Sequence, residues 1–479
     1  MDHAHTGSPS DSAAVSPSDS AAVSPSDAAA ASPSDSAAVR RRNLGLVLRH
    51  IAAHGPCART EVATATGLAH GSVTALAGDL VERGLVREDD ALRSGGRGRP
   101  GRPLRLAPRR ALSVAVQISS EQLRVVVADL AGAVLWRETA LHNCAPGTPE
   151  AMADAVAAAV HRAEHATLTT NDRFAAAKRA GERDTAHSAD AALGAIAVSE
   201  PARGAGAETA AVDSVLVRVV IAMAGPVRDD AAQTVVMAPD FGWLQPVRLG
   251  ALVAGRLPGM DCPVDVINDG NAAAFAEYHA RPRRRGLVLI EAGTGIGGGV
   301  VLDGRIQIGS HGIAGEPGHM PVALDGPPCV CGARACLVLY AGPEAVLTAA
   351  GLGELLIREG LHAASTRLIE ALRAGDEQAV AAVRTAGQAL GVVILSVTAL
   401  LDVDEIVLGG LLAHWFPWLA PTIDEQLAGR RVLAPGLQLT IAPAVLGEDA
   451  MLLGAIEFAR RTVLSDPASV PLRPLPTRT

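Results

Sequence analysis

The chain has 479 residues, of which 49% are hydrophobic, and this length is too great for a single small core. Its formal net charge of −8 at pH 7 argues against a protein that coats nucleic acid or an anionic membrane along its whole length. Six cysteines are too few for a disulfide scaffold. The sequence shows no signal-peptide pattern and no apolar run of about 18–20 residues. We therefore expect a cytoplasmic protein without membrane contact.

The N-terminal segment is a repeat. Residues 8–39 contain an octapeptide four times, with one proline in each unit and no side chain larger than valine. Such a segment buries too little apolar surface to offset its chain entropy, so we expect residues 1–39 to be a disordered tail. A Ser-Pro array that accepts phosphate and a tolerated repeat expansion are both open interpretations.

Residues 40–110 have the pattern of a winged helix-turn-helix domain. Apolar residues at helical spacing predict a first helix up to the Gly55-Pro56 break, a second over residues 59–66 that Gly67 ends, and a third over residues 70–83. A strand at Leu85-Val86 and a glycine turn at residues 95–96 then predict the wing.

This domain is also the basic part of the chain. It contains 14 arginines against six acidic residues, a net charge of +8, whereas residues 1–39 carry −5 and the remainder −11. In the wing, Arg97, Arg99 and Arg102 stand between glycines and prolines, so the guanidinium groups suit the negative potential of a narrow minor groove. A basic interdomain linker is the other interpretation. Residues at the exposed start of the third helix would face base edges of double-stranded DNA: His70, Gly71, Ser72 and Thr74.

Residues 111–465 alternate strand patterns with helix patterns, which predicts a two-lobed α/β domain. The predicted strands cover residues 114–118, 123–129, 215–223, 264–267, 286–290 and 405–410. Helical patterns cover residues 150–164, 343–401 and 451–461. Residues 165–212 show neither period, so we expect a flexible insertion there, and residues 466–479 are predicted to be a C-terminal tail.

Two segments that follow strands carry candidate site residues. The glycine-rich residues 291–304 allow backbone amides to approach a phosphate, although a sharp β-turn needs the same residues. Asn268 and Asp269 follow the strand at 264–267. An aspartate at this position can act as a general base or accept a hydrogen bond from a hydroxyl group, although capping of the following helix is the ordinary explanation.

A third segment has the composition of a metal site. The turn that contains Glu316 and His319 is followed by Cys329, Cys331 and Cys336. One imidazole and three thiols form a complete tetrahedral set for a structural zinc ion, which would fix the loop that carries Glu316. Three unligated or redox-active cysteines are the alternative.

Together these motifs resemble the ROK family of repressors, open reading frames and sugar kinases, and from residue 40 to about residue 461 they look most like its transcriptional regulators. The resemblance implies an actin-like sugar kinase fold behind the winged helix-turn-helix, with Asp269 at the position of the kinase base. The residues that it implies for sugar binding are Asn268, Asp269, Glu316 and His319. Those that it implies for zinc binding are His319, Cys329, Cys331 and Cys336.

Three departures from the family pattern bear on function. The kinase motif Asp-x-Gly-Gly-Thr, which organises magnesium and the ATP phosphates, reads Gln117-Ile118-Ser119-Ser120-Glu121 here, so we expect no phosphoryl transfer. Val338 stands where the family has a sugar-binding glutamate, and this loss weakens sugar binding by about 1–3 kcal/mol or shifts the ligand class. Gly270 stands where the family usually has alanine.

The sequence therefore predicts a sugar-responsive, DNA-binding transcriptional regulator, specifically a repressor that binds its operator as a homodimer or homotetramer. The effector would change the spacing of the winged helix-turn-helix domains. One alternative is a glucokinase-like ROK sugar kinase that carries a DNA-binding domain. Another, favoured by Val338, is a regulator that binds no ligand.

Overall fold

The computed structural model describes residues 33–89, 102–179, 214–282, 285–433, 436 and 438–473. Residues 1–32 of the predicted tail and 180–212 of the predicted insertion therefore lie outside the described residues. So do the glycine turn at 95–96 and two of the three wing arginines, Arg97 and Arg99.

The first unit is a winged helix-turn-helix domain, as predicted. Its elements are α1 (Pro33–His54), α2 (Arg59–Thr66), α3 (His70–Glu82), β1 (Val86–Glu88) and β2 (Leu104–Leu106). The two strands pair antiparallel and form the base of the wing. Because α1 begins at Pro33, residues 33–39 are helical, and the prediction of disorder is wrong for them. Proline is well tolerated in the first turn of a helix, where its missing N–H would have no partner in any case.

The core of this domain consists of the predicted apolar stripes. Leu44, Leu48 and Ile51 of α1 are at most 2% exposed, and they pack with Val73 and Leu80 of α3. Gly67 ends α2 with a φ of 71°, a left-handed conformation that favours glycine. The helical period and one glycine were therefore sufficient to place these helices.

The two lobes that follow residue 110 are called the body. Its first lobe contains a five-stranded sheet of order β5-β4-β3-β6-β7 within the described residues. Its elements are β3 (Ala111–Ile118), β4 (Gln122–Asp129), β5 (Val134–Leu141), α4 (Pro149–Arg179), β6 (Val215–Met223), α5 (Leu249–Ala254) and β7 (Val264–Asn268). Helix α4 packs on one face of this sheet. It continues to Arg179, so the predicted flexible insertion is wrong for residues 165–179.

The second lobe contains a sheet of order β10-β9-β8-β11-β12. Its strands are β8 (Gly286–Ala292), β9 (Ile296–Leu302), β10 (Arg305–Ile306), β11 (Glu405–Gly410) and β12 (Thr440–Pro443). The helices of this part of the chain are α6 (Asp269–Ala280), α7 (Val338–Ala341), α8 (Pro343–Ala349), α9 (Gly353–Ala374), α10 (Glu377–Leu401), α11 (Leu411–Leu433) and α12 (Ala450–Ser465). Helix α6 packs on one face of the sheet, and α10 and α11 pack on the other.

Helix α10 is apolar enough and long enough to cross a membrane, with an 18-residue window of mean hydropathy 1.7. More than half of that window is buried inside the protein, where α10 packs against α11. Such burial is typical of the core helix of a large lobe, so the helix is weak evidence for membrane insertion.

Helix α12 connects the two lobes to the DNA-binding domain. Its middle packs on the first sheet, opposite α4, whereas Val463 and Leu464 near its end belong to the core of the winged helix-turn-helix. Residues 466–473, part of the predicted tail, also pack on that domain, and Val470 is fully buried there. The buried Arg110 donates hydrogen bonds to the carbonyl oxygens of Arg83 and Pro471, both at 3.1 Å. Arg110 is therefore a structural residue at this junction.

Candidate functional site

Asn268 and Asp269 lie where β7 ends and α6 begins. Asn268 is the residue that caps the helix, because its Oδ1 accepts a hydrogen bond of 2.9 Å from the amide of Asn271. Its Nδ2 donates to the carbonyl oxygen of Gly225 at 3.0 Å and thereby holds the Ala224-Gly225-Pro226 turn against the site. The capping explanation weighed for Asp269 therefore applies to its neighbour. Asp269 instead accepts from the amide of Gly270 at 2.7 Å.

Carboxyl groups from different elements surround Asp269. Burial raises the pKa of Asp269, and the Asp240 carboxylate adds to the rise. Burial likewise raises the pKa of Glu316, with Asp269 as the second cause. The effect of Asp269 on the pKa of Glu316 indicates that the two carboxyl groups are neighbours, and His319 lies three residues after Glu316 in the same turn.

The sequence interpretation missed Glu291, the last charged side chain before the glycine-rich turn. Burial raises its pKa to about 7, and the carboxylates of Asp269 and Glu277 contribute. Its Oε2 is buried and has no hydrogen-bond partner in the described residues. The available signal was a single acidic residue at the end of an otherwise apolar strand, β8. When ionised, such a group repels a phosphate that approaches the neighbouring backbone.

The backbone around the site is closely packed. A Cβ on Gly270 would overlap the carbonyl oxygen of Gly298 and lie 2.8 Å from its amide nitrogen. The start of α6 therefore rests directly on β9, and this contact explains why a glycine stands at position 270.

Replacing Gly270 by alanine should destabilise the body by about 1–3 kcal/mol, because neither backbone has room to give way. A matched control is Gly71→Ala, at the second residue of α3, where a new Cβ meets open space. The control should change the free energy of unfolding little or raise it by up to about 1 kcal/mol. Urea unfolding followed by circular dichroism measures both; an unaltered midpoint for Gly270→Ala would show that the contact relaxes freely.

The four predicted metal ligands lie together. The ligand atoms of His319, Cys329, Cys331 and Cys336 are all within 4.8 Å of one another. The Sγ atoms of Cys331 and Cys336 are 3.6 Å apart, and Nδ1 of the histidine lies 3.6 Å from Sγ of Cys329. These separations fit four ligands around one tetrahedral metal ion, given metal–sulfur bonds of about 2.3 Å. Because Nδ1 faces the thiols, Nε2 is free for another partner.

The cysteine loop is tied to the turn that carries Glu316 and His319. Val322 donates a hydrogen bond to the carbonyl oxygen of Ala335, and Leu337 donates to that of Met320, both at 2.9 Å. Ala335 has a φ of 54°, an uncommon conformation for a residue with a side chain. A metal ion at the cluster would therefore fix the position of Glu316.

Val338 begins α7 immediately beyond this loop. Its Cγ2 would be 3.9 Å from a Cβ on Gly295, so the side chain stands beside the glycine-rich turn. An apolar group here offers no hydrogen bond to a polar ligand.

Gln117, at the position where the resemblance to kinases implies a magnesium ligand, has partners within the protein. The Oε1 of Gln117 accepts a hydrogen bond of 3.2 Å from Arg124, whose guanidinium also forms an ion pair with Asp449. The Nε2 of Gln117 contacts the sulfur of Met451 at 3.1 Å. These contacts connect the hairpin of β3 and β4 with the start of α12 and the turn before it. Both polar atoms of the Gln117 side chain therefore have partners within the protein.

The predicted DNA-contacting face is exposed. His70, Gly71, Ser72 and Thr74 are all open to solvent, although the Thr74 hydroxyl donates to the carbonyl oxygen of His70 at 3.0 Å. The Arg102 side chain is 64% exposed at the base of the wing, and its Nη1 lies 3.6 Å from Oε2 of Glu88. Arg97 and Arg99 lie outside the described residues.

Comparison with known families gives two matches. The family model of the ROK family matches residues 207–462, and that of the MarR family matches residues 45–94. The first match covers the site, the second lobe and the last part of the first lobe from β6 onward, and the second covers most of the helix-turn-helix.

Individual relatives fall into two groups. The xylose repressor of Bacillus spizizenii is 22% identical over 421 residues, which cover 87% of this chain and 94% of the repressor. The N-acetylmannosamine kinase of Citrobacter koseri is 34% identical over 250 residues, which cover 51% of this chain and 79% of the kinase. The likeness to the repressor thus extends over both units, whereas that to the kinase spans half the chain.

Solved structures show the same division. A ROK family transcriptional regulator, a homologue of the E. coli MLC protein, has a TM-score of 0.66 at 22% identity and covers 90% of this chain and 98% of its own. A ROK family glucokinase from Streptomyces griseus, in complex with glucose and AMPPNP, has a TM-score of 0.51 at 26% identity and covers 73% and 99%.

Proposed function

The chain belongs to the ROK family, and on that premise we propose that it is a transcriptional repressor that binds operator DNA and responds to a sugar or sugar derivative. The main structural support for this function is the junction between α12 and the winged helix-turn-helix. The end of α12 packs in the core of the winged helix-turn-helix through Val463 and Leu464. The body and the DNA-binding domain are therefore in direct contact. The likeness to the xylose repressor over both units supports this function.

The effector site comprises Asn268, Asp269, Glu316 and His319. Carboxylates and an amide that converge beside a close-packed backbone suit the hydroxyl groups of a sugar, since each hydroxyl both donates and accepts a hydrogen bond. Val338 removes one acceptor, and the buried Glu291 adds another carboxyl group nearby. The relative named N-acetylmannosamine kinase makes amino sugars the first candidates to test beside hexoses and xylose.

The thiol cluster is a structural zinc site. Three thiols and one imidazole are the ligands that zinc prefers, and four protein ligands leave no open position for catalysis. When bound, the ion supplies a fixed crosslink between the cysteine loop and the Glu316 turn. His319 would bind it through Nδ1 and present Nε2 toward the effector.

Two copies of the chain, or four, would act together on an operator in the cytoplasm. The residues for major-groove contact are His70, Gly71, Ser72 and Thr74, with Arg97, Arg99 and Arg102 in the wing. The effector acts by binding more tightly to one arrangement of the DNA-binding domains than to another. Only such a difference in affinity shifts the equilibrium between the two arrangements.

The second candidate function is sugar phosphorylation, which the likeness to the N-acetylmannosamine kinase favours. Against it stand the neutral Gln117, bound by Arg124 where a kinase needs a magnesium carboxylate, and the acidic Glu291 beside the glycine-rich turn. We therefore propose a degenerate ATP site without catalysis.

A coupled assay tests this choice with the full-length protein, ATP, magnesium, and a panel of glucose, xylose, N-acetylmannosamine, N-acetylglucosamine and glucosamine. We expect turnover below about 0.01 per second, far under the roughly 1–100 per second typical of kinases, and no difference between the wild type and Asp269→Asn. Turnover near 1 per second that Asp269→Asn abolishes would establish the kinase instead.

A further inference from the structure

A cavity of about 470 Å³ lies at the junction of the two lobes. Its walls come from the segment after β6, the edge strand β7, helix α6, strand β10 and the last turns of α12. Asp269, Glu316 and His319 do not line it, and Asn268 stands between the two sites. Its volume lies within the range of about 300–1,000 Å³ that is usual for small-molecule sites.

The inner wall contains apolar side chains together with the amide groups of Gln233, Asn268 and Asn271. The rings of Phe275 and Phe458 face each other edge to face, with their centroids 6.4 Å apart, and Ile267 and Ile306 lie beside them. Asn271 also lines the cavity. It is 3% exposed, and its Oδ1 has no hydrogen-bond partner in the part of the chain that the structure describes. A buried acceptor without a partner is costly, so an occupant with a hydroxyl donor would be favoured.

The rim is basic. Arg228 and Arg305 line the opening, are exposed, and form no side-chain hydrogen bond or ion pair within the described residues. Arg461 pairs with Glu457, and the same carboxylate also accepts hydrogen bonds from Arg460. These three side chains together therefore carry one net positive charge.

The acidic groups at the cavity are fewer. Asp265 is paired with Arg218, which leaves Asp229 as the one lining carboxylate without a salt bridge in the described residues. The positive charge continues onto α1, where burial and the neighbouring Arg42 and Arg461 lower the pKa of Arg49. The opening therefore attracts anions.

We propose that this cavity binds a small hydroxylated aromatic carboxylate as a second effector, separate from the sugar. The aromatic body lies against Phe275 and Phe458, the hydroxyl donates to Oδ1 of Asn271, and the carboxylate meets the guanidinium groups of Arg228 and Arg305.

Helix α12 connects the cavity to the DNA-binding domain. Thr462 and Ser465 line the cavity, whereas Val463 and Leu464 between them pack in the core of the winged helix-turn-helix. The carbonyl oxygen of Ser465 rests directly on α1, where a Cβ on Gly45 would overlap it. An occupant that shifts the last turn of α12 therefore moves the surface on which α1 is seated. This step rests on the proposed DNA-binding function.

Calorimetry with the full-length protein tests the binding site on its own. The probes are 4-hydroxybenzoate and 4-hydroxyphenylacetate, with 4-hydroxybenzyl alcohol as the uncharged counterpart. We expect at least one acid to bind, the alcohol to bind at least tenfold more weakly, and Arg228→Gln/Arg305→Gln to lose at least tenfold in affinity for the acid. The matched control Arg358→Gln/Arg367→Gln, on exposed arginines of α9, should bind like the wild type. The proposal fails if neither acid binds at millimolar concentration, or if the rim variant binds as tightly as the control.

A second measurement tests the coupling. DNA that the protein itself selects from a random pool is titrated with and without a saturating concentration of the bound acid. We expect the affinity to change at least fivefold for the wild type and to stay constant for Arg228→Gln/Arg305→Gln. Binding of the acid without any change in DNA affinity would overturn the coupling. Failure to select any DNA would instead contradict the proposed function and leave the calorimetric result in force.

Discussion

Replacing Cys336 by serine should remove the bound zinc and destabilise the body by about 3–5 kcal/mol, since loss of a structural metal is among the most damaging single changes. Cys336 is fully buried and is followed directly by Leu337, whose amide holds the Glu316 turn through Met320. Without the ion, the three thiols and one imidazole, of which Cys329 and Cys336 are buried, lose the partner that fixes the loop. The same variant should therefore lose affinity for the sugar-class effector.

Elemental analysis of protein purified without chelators is the direct measurement. We expect about one zinc per chain for the wild type and less than a tenth of that for Cys336→Ser. Cys144→Ser is the matched control, because Cys144 lies far from the cluster in sequence and is only partly buried. It should retain its zinc and its thermal midpoint. Less than a tenth of a zinc in the wild type would refute the site.

Replacing Arg97, Arg99 and Arg102 together by alanine should weaken DNA binding by about 100-fold near 0.1 M salt. Each arginine that contacts a phosphate releases roughly one counterion, so the slope of log K against log salt should fall by about three. Arg102 is already placed for such contact, since it is exposed at the base of the wing.

The matched control for this variant removes the same number of positive charges from α9, at Arg358, Arg367 and Arg373. These side chains are exposed on the body, so the control should alter the slope by less than one. Fluorescence anisotropy at several salt concentrations measures both variants. An unchanged slope for the wing variant would remove the wing from the DNA interface.

The parts of the fold that could be predicted are those that local sequence determines. The helices of the DNA-binding domain follow from apolar residues at helical spacing and from Gly67. Helix α11 was missed because Pro417 and Pro421 predict a break, at a cost of about 3 kcal/mol for each proline in a helix interior. Its stripe of Trp415, Leu419, Ile423 and Leu427 is at most 2% exposed. At about 1.5–3 kcal/mol for each buried side chain, this packing outweighs the prolines.

The candidate site divides in the same way. The metal ligands and the Asn268-Asp269 pair could be predicted, because their spacing along the chain already implies their proximity. The role of Gln117 could not, since its partner Arg124 is held by an ion pair to Asp449, which lies 325 residues away in the sequence. The docking of residues 466–473 on the DNA-binding domain likewise depends on contacts that no local pattern contains.

A ligand at Asp269 and Glu316 is expected to control binding of the winged helix-turn-helix to DNA. The most direct measurement is the affinity for DNA selected by the protein itself, with and without each sugar of the panel that calorimetry shows to bind. We expect a change of about 5–150-fold in the wild type. Asp269→Asn should keep the affinity of the unliganded protein and lose the response. Equal affinity for the DNA with and without a bound sugar would contradict the claim.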